Sequence, residues 1–159
     1  MQKRLGKDGK EFTIYKLRTM NAGITVDQSL QIKAYQEGKQ GKLENDPRVT
    51  FLGKVMRKYW IDELPQIINL IKGDMALIGV RPLAAEEISA YPLEIQHLYA
   101  KTKPGFISIH YGRDVRGVEK KLSVMKEYLE QVQVKPIQTK LRYLISVLTG
   151  VIFKGERGI

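Results

Sequence analysis

The alternation of apolar and polar positions divides the chain into a short β region and a longer helical one. Phe12, Thr13, Ile14 and Tyr15 form a β-prone run behind Asp8-Gly9, a strong two-residue turn signal, so the first segment reads as a β-hairpin. On that strand Phe12, Ile14, Lys16 and Arg18 share one face. Two cations closing an otherwise apolar face fit a strand that runs out into solvent. Residues 21–46 are rich in Gln, Lys and Glu and read as an exposed helix or a mobile loop.

Helical spacing returns at Phe51, Leu52, Val55, Met56, Tyr59 and Trp60, with Thr50 as a suitable N-cap. Arg57 and Lys58 stand near the end of that helix, where cations suit its dipole. Leu64, Ile67, Ile68, Leu70 and Ile71 make the stripe of a second helix that Gly73 stops. Pro65 is tolerated only in a first turn, which puts Asp62 at or near the N-cap after a break. The run MALIG reads as a short buried strand feeding Val80, Arg81 and Pro82 into a loop. Two short helices split at Pro92 follow, and the Pro104-Gly105 turn leads into the extended run FISIHYGRD. The segment from Val118 is helical, and Pro136 opens a last helix with Ile137, Leu141, Leu144, Ile145, Leu148 and Ile152 on one side. The pattern predicts one α+β domain, mostly helical, with a small N-terminal β-hairpin.

Composition narrows the chemistry. The 159 residues suit a single domain, and 43% hydrophobic content is that of a folded chain. Cysteine is absent, which excludes disulfides and thiolate metal sites. The two histidines, His97 and His110, are far apart in sequence and argue against a histidine zinc site or a Ser-His-Asp triad. Against 17 Asp plus Glu stand 27 Lys plus Arg, a net charge of +10 that attracts polyanions. Nucleic acid, anionic lipid headgroups and nucleotide phosphates all qualify on charge alone.

The candidate chemistry sits in RKYWIDELPQI, residues 57–67. Asp62-Glu63 has two readings from spacing. In one, Asp62 is an N-cap and pairs with Lys58 four residues away, a contact worth about 0.3–0.5 kcal/mol when exposed. In the other, Asp62 is a nucleophile toward phosphorus, kept ionised by the helix N-terminus and able to ligate Mg²⁺ together with substrate phosphates. Lys16, Arg57 and Arg81 could then neutralise a pyrophosphate, provided that they meet Asp62 in space.

Longer stretches carry a resemblance. KRLGKDGKEFTIYKLRTM, then NDPRVTFLGKVMRKYWIDELPQIINLIKGDMALIGVRPL, then YP at 91–92 and KPG at 103–105, resemble the bacterial sugar transferase family, the small monotopic polyprenyl-phosphate phosphoglycosyl transferases. The resemblance implies transfer of a sugar-1-phosphate from a UDP-sugar to polyprenyl (undecaprenyl) phosphate. That step initiates synthesis of a surface glycan such as exopolysaccharide, capsule or O-antigen. It implies Asp62 as the nucleophile of a covalent phospho-sugar intermediate and as the Mg²⁺ contact. Glu63 is implied as the dyad partner, and Lys16, Arg57 and Arg81 as substrate-binding cations.

The chain departs from the family pattern at several places. Val80 stands where proline is usual and Ala76 where serine is usual. FISIHYGRD replaces a TG…NGR pattern. Residues 1–159 read as one catalytic domain that starts just after the place of the family's N-terminal re-entrant membrane helix, so the expectation is either a piece of a longer chain that carries that helix or a naturally short chain with other anchors. A catalytically weakened UDP-sugar-binding or membrane-binding protein of the same fold is the alternative.

The last helix also bears on membrane contact. The apolar run 141–153 is shorter than the roughly 20 residues that span a bilayer. Its flanks carry Lys135, Lys140, Arg142, Lys154 and Arg157, which suits an amphipathic helix on a membrane surface as well as a core helix. Anionic lipids then account for the basic charge, and no recognition helix or aromatic stacking motif calls for nucleic acid. The expected location is the cytoplasmic face of a bacterial inner membrane, monotopic or peripheral.

Overall fold

The computed structural model describes residues 2–23, 46–111, 115 and 117–154, the last four of these as backbone only. Strands β1 (Gln2–Leu5) and β2 (Glu11–Ile14) pair antiparallel, with Leu5 opposite Glu11. The connection is a three-residue 3-10 turn, Lys7–Gly9, closed by Gly6 N–H donating to Lys10 O at 2.8 Å. It is one residue longer than the Asp8-Gly9 signal predicts, although Asp8 (φ 60°) and Gly9 (φ 68°) do occupy the left-handed region. Beyond β2 the side chains of Lys16, Leu17 and Arg18 are exposed, as expected, but the backbone is tied down. The extension bends across the molecule, and Leu17 N–H donates to Asp62 O at 3.0 Å. The expectation for residues 21–46 falls almost wholly outside the described residues.

Helix α1 (Phe51–Lys58) is capped by the Thr50 hydroxyl, which accepts Gly53 N–H at 2.9 Å, as the sequence predicts. A 3-10 segment, Ile61–Gln66, follows and contains Pro65; α2 is Ile67–Lys72 and ends at Gly73 with φ 78°. The break is where proline demands it, but the residue that caps the 3-10 segment is Trp60. Asp62 is therefore near the N-cap, two residues after it in the first turn, and not the capping residue itself.

The next elements are β3 (Ala76–Gly79), α3 (Ala85–Ser89), α4 (Leu93–Ala100), β4 (Gly105–Ser108), α5 (Val118–Val134) and α6 (Pro136–Lys154). β3 and β4 pair in parallel, Ala76 with Gly105 and Gly79 with Ser108. The register brings glycine against glycine: a Cβ on Gly79 would lie 2.8 Å from Gly105 N, and one on Gly105 would meet the Gly79 backbone. Two glycines are thus needed where the chain segments touch.

The core gathers Ile78, Val80, Tyr99, Ile109, Leu129 and Tyr143. Tyrosines pin its edges. The Tyr99 hydroxyl accepts Leu83 N–H at 3.1 Å and donates to Leu5 O at 3.0 Å, fastening the hairpin to the loop after Arg81. Tyr128 donates to Ile78 O at 3.2 Å and meets Tyr143 edge-on at 5.0 Å. Burial pushes both the Tyr99 and Tyr128 phenols up to about 12.

On α6 the inward face is Thr139, Tyr143 and Val147, while Ile137, Leu141, Ile145 and Leu148 face outward and Leu144 packs partly against the core. Most of the predicted stripe is therefore outside. The reason is the α5–α6 contact: Thr139 donates to Gln131 O, and Tyr143 reaches Tyr128. The apolar positions of α1 and α2 are exposed too, with Phe51 at 84% and Ile71 at 81%. No helix among the described residues is long and apolar enough to cross a membrane.

Candidate functional site

Asp62 is 2% exposed, held in the turn between α1 and α2. Such burial of a carboxylate requires a partner. Among the described residues that partner is Lys16, not Lys58: Lys16 Nζ lies 3.0 Å from Asp62 Oδ2. Lys16 also donates to Glu63 Oε1 at 3.1 Å. Lys58 instead lies over the Tyr59 ring. The cation that the hairpin face carried outward in sequence is thus the one that completes the dyad, 47 residues away along the chain.

Lys16 is aimed by its backbone neighbours. Tyr15 N–H donates to Asn69 Oδ1 at 3.2 Å on one side, and Leu17 N–H donates to Asp62 O on the other. Asn69 is 0% exposed; its amide donates to Thr13 O at 2.8 Å and to Asp74 Oδ2 at 3.1 Å. Asn69 therefore ties β2, α2 and the turn after α2 together. Sequence reading gave it no role. The signal was available as a polar residue within the apolar run of α2.

Arg4, Lys16, Glu63, Arg81, Ser108 and Tyr111 line a pocket beside the dyad. Arg81 enters it from the loop after β3 and is near enough to Tyr111 and Lys121 to act on both electrostatically. Burial first, and then the Arg81 charge, hold the Lys121 ammonium below its ordinary value. Arg57 is placed differently. Its Nε donates to Thr19 Oγ1 at 2.9 Å, close to the Asp46–Arg48 pair. The Arg48 guanidinium holds the buried Asp46 carboxyl below the usual carboxylate range.

Tyr111 lines the pocket, and Trp60 stands behind it. The Trp60 and Tyr111 rings stack at 5.3 Å and 16°. Trp60 has φ 57°, a left-handed conformation that costs a bulky residue about 1–2 kcal/mol. Such a conformation persists where the surroundings enforce it, and often at functional sites.

Asp62 Oδ2 accepts no directed hydrogen bond among the described residues. That oxygen meets the Lys16 ammonium at 3.0 Å; in place of the ammonium, Asp62 with Glu63 next to it could hold a hard cation such as Mg²⁺, which takes one or two carboxylates and substrate phosphates. Among the described residues no cluster of three or more acidic, histidine or cysteine side chains could hold a metal by itself. A buried carboxylate, a neighbouring carboxylate and cations around one pocket suit a ligand that carries phosphate.

The comparisons with known proteins agree with that class. The family model described as bacterial sugar transferase matches residues 1–153, and the chain belongs to that family. It is 39% identical over 111 residues to the undecaprenyl-phosphate galactose phosphotransferase of Salmonella typhimurium, covering 67% of this chain and 23% of that protein. It is 37% identical over 112 residues to the exopolysaccharide production protein ExoY of Rhizobium meliloti, covering 67% of this chain and 49% of that protein. It is 42% identical over 95 residues to the UDP-N-acetylgalactosamine-undecaprenyl-phosphate N-acetylgalactosaminephosphotransferase of Aeromonas hydrophila, covering 60% of this chain and 20% of that protein. The matches thus span less than half of each relative.

Proposed function

We propose that this chain transfers a sugar-1-phosphate from a UDP-sugar to polyprenyl phosphate, in the initiating step of surface glycan synthesis. The observation that carries the reading is the buried Asp62, ion-paired to Lys16 at 3.0 Å beside a pocket lined by Arg81. In the first step an Asp62 carboxylate oxygen attacks the phosphorus that bears the sugar. The bond from that phosphorus to the UMP oxygen breaks, and UMP leaves. In the second step a phosphate oxygen of the polyprenyl acceptor attacks the same phosphorus. The aspartyl–phosphorus bond breaks, Asp62 is regenerated, and a polyprenyl-diphospho-sugar is released.

Lys16 has a specific part in this scheme. At rest it covers Asp62 Oδ2, and a bound phosphate offers it another anionic partner. The lysine can then turn from carboxylate to phosphate, freeing the nucleophile where the substrate arrives. Arg81 neutralises phosphate charge from the opposite loop. Arg57, held by Thr19, would act on substrate charge from the α1 side. Asp62 with Glu63 would hold Mg²⁺, which supplies further neutralisation of phosphate charge when bound.

The acceptor is a lipid, and the outward apolar faces of α1 and α2 suit a membrane surface. Phe51, Leu52, Val55 and Tyr59 lie on one side of α1, Ile67, Ile68 and Ile71 on one side of α2, and exposed Lys54, Lys58 and Lys72 border them. Apolar contact with basic edges is the composition of an interfacial helix, and the net charge of +10 adds attraction to anionic lipids. A location on the cytoplasmic face of the inner membrane follows from a nucleotide-sugar donor and a lipid acceptor.

Intact mass after incubation with UDP-galactose or UDP-N-acetylgalactosamine and Mg²⁺ tests the reading. A phospho-sugar adduct is expected, absent in Asp62→Asn, whose turnover should fall on the order of 10⁴-fold. Full turnover by Asp62→Asn would sink the covalent mechanism. Binding of donor without an adduct in the parent chain would favour the weakened binding protein.

A further inference from the structure

The segment after β4 brings to the dyad a side chain that the dyad motif does not contain. Glu63 has two differently held oxygens. Oε1 accepts from Lys16 at 3.1 Å, and Oε2 accepts from the Tyr111 hydroxyl at 3.5 Å. Resting on the assignment of the dyad as the reactive centre, we propose that Tyr111 is a positioning residue for Glu63 and that the Trp60 ring holds Tyr111 in place.

The contacts close a circuit. Trp60 accepts Glu63 N–H through its own carbonyl at 3.1 Å, its ring stacks on Tyr111 at 5.3 Å, and Tyr111 returns to Glu63 through its hydroxyl. Each member touches the other two. The two holders of Glu63 also differ in kind. Lys16 is a cation that an arriving phosphate can draw away. Tyr111 is a neutral phenol; its hydroxyl donates to Glu63 Oε2, its ring is held by Trp60, and it carries no charge for an arriving phosphate to draw away. When Lys16 turns to substrate, Tyr111 is what keeps Glu63 still.

The circuit also accounts for Trp60. Its backbone position, with φ 57°, is one that glycine adopts without strain. A turn between α1 and the 3-10 segment does not need an indole. The stack does.

Variants separate the turn from the stack. Tyr111→Phe keeps the ring and loses the hydroxyl; kcat is expected to fall about tenfold with the donor KM nearly unchanged. Trp60→Gly suits the turn and loses the ring; a similar fall is expected, and the double variant should be no slower than Tyr111→Phe. Parent-like kcat in either single variant, or additive losses in the double variant, would overturn the proposal. A second arm does not need activity. Trp60 is the only tryptophan in the chain, so its emission reports on the stack. Tyr111→Phe should leave that emission unchanged. Glu63→Leu should shift it in the parent but not in the Tyr111→Phe background, and equal shifts in both would overturn the link. A parent chain that forms no phospho-sugar adduct refutes the proposed function, and the emission arm then decides the Tyr111 link by itself.

Discussion

At the residue scale, the site turns on the cost of burying Asp62. A carboxylate that is 2% exposed needs compensation, and Lys16 supplies it from the other side of the hairpin. Asn69 holds the strand extension that delivers Lys16, using its donor and acceptor groups at once. Asn69→Ala leaves Tyr15 N–H, Thr13 O and the Asp74 carboxylate without that partner. At about 1–3 kcal/mol for each unsatisfied group, partly relieved by water, a total near 3 kcal/mol is expected. Calorimetry should show the midpoint falling by about 6–12 °C for a domain of this size. If the strand extension is what aims Lys16, the same variant should also make the Lys16 amine more reactive to acylation, read residue by residue by mass spectrometry. An unchanged midpoint would refute the clamp.

At the scale of elements, the unusual feature is that α1 and α2 turn their apolar sides outward. Phe51 and Ile71 stand at 84% and 81% exposure. Burying such a side chain is worth about 1.5–3 kcal/mol, so each should contribute about tenfold or more to partition into a lipid surface. Phe51→Ser with Ile71→Ser is expected to lower binding to anionic vesicles by about a hundredfold in a flotation assay while leaving the folded midpoint nearly unchanged. Vesicle binding equal to that of the parent would remove these faces from the membrane contact. The parallel β3–β4 pair makes a second element-level demand. A methyl group on Gly105 meets the Gly79 backbone, which cannot move aside as a side chain could. Gly105→Ala should therefore separate the pair and displace Arg81, which follows β3, losing folded protein or substrate binding on urea titration.

For the whole molecule, the core is pinned by tyrosines that must stay neutral. An ordinary phenol titrates near 10, and Tyr99 and Tyr128 are pushed to about 12 in the folded chain. Between those values the unfolded chain has given up protons that the folded chain still holds, so stability falls as pH rises. The contribution is fully present below about pH 10 and is lost by about pH 12, at about 1.4 kcal/mol per pH unit for each phenol. Urea titrations followed by circular dichroism from pH 9 to 12 should show this slope. Tyr99→Phe should remove one phenol's share of it, leaving that of Tyr128, while lowering stability at neutral pH by about 1 kcal/mol, because the hydroxyl holds Leu83 N–H and Leu5 O. A slope unchanged by that variant would show that its phenol is not responsible.

The sequence by itself determined whatever depends on near neighbours. Thr50 caps its helix, Pro65 forces a break, Gly73 ends α2 and Pro92 splits two short helices, because each acts through the backbone within a turn of itself. The long motif around Asp62-Glu63 was equally legible, as was the α+β class. Tertiary structure decided which side of each amphipathic helix faces inward. Periodicity finds a stripe but does not say what lies opposite it, and on α6 the stripe turned outward because Tyr143 found Tyr128. It also decided the parallel pairing of β3 with β4, the recruitment of Lys16 to Asp62 and the meeting of Tyr111 with Glu63. Those partners are far apart along the chain, and only the packed fold determines the distance between their charges.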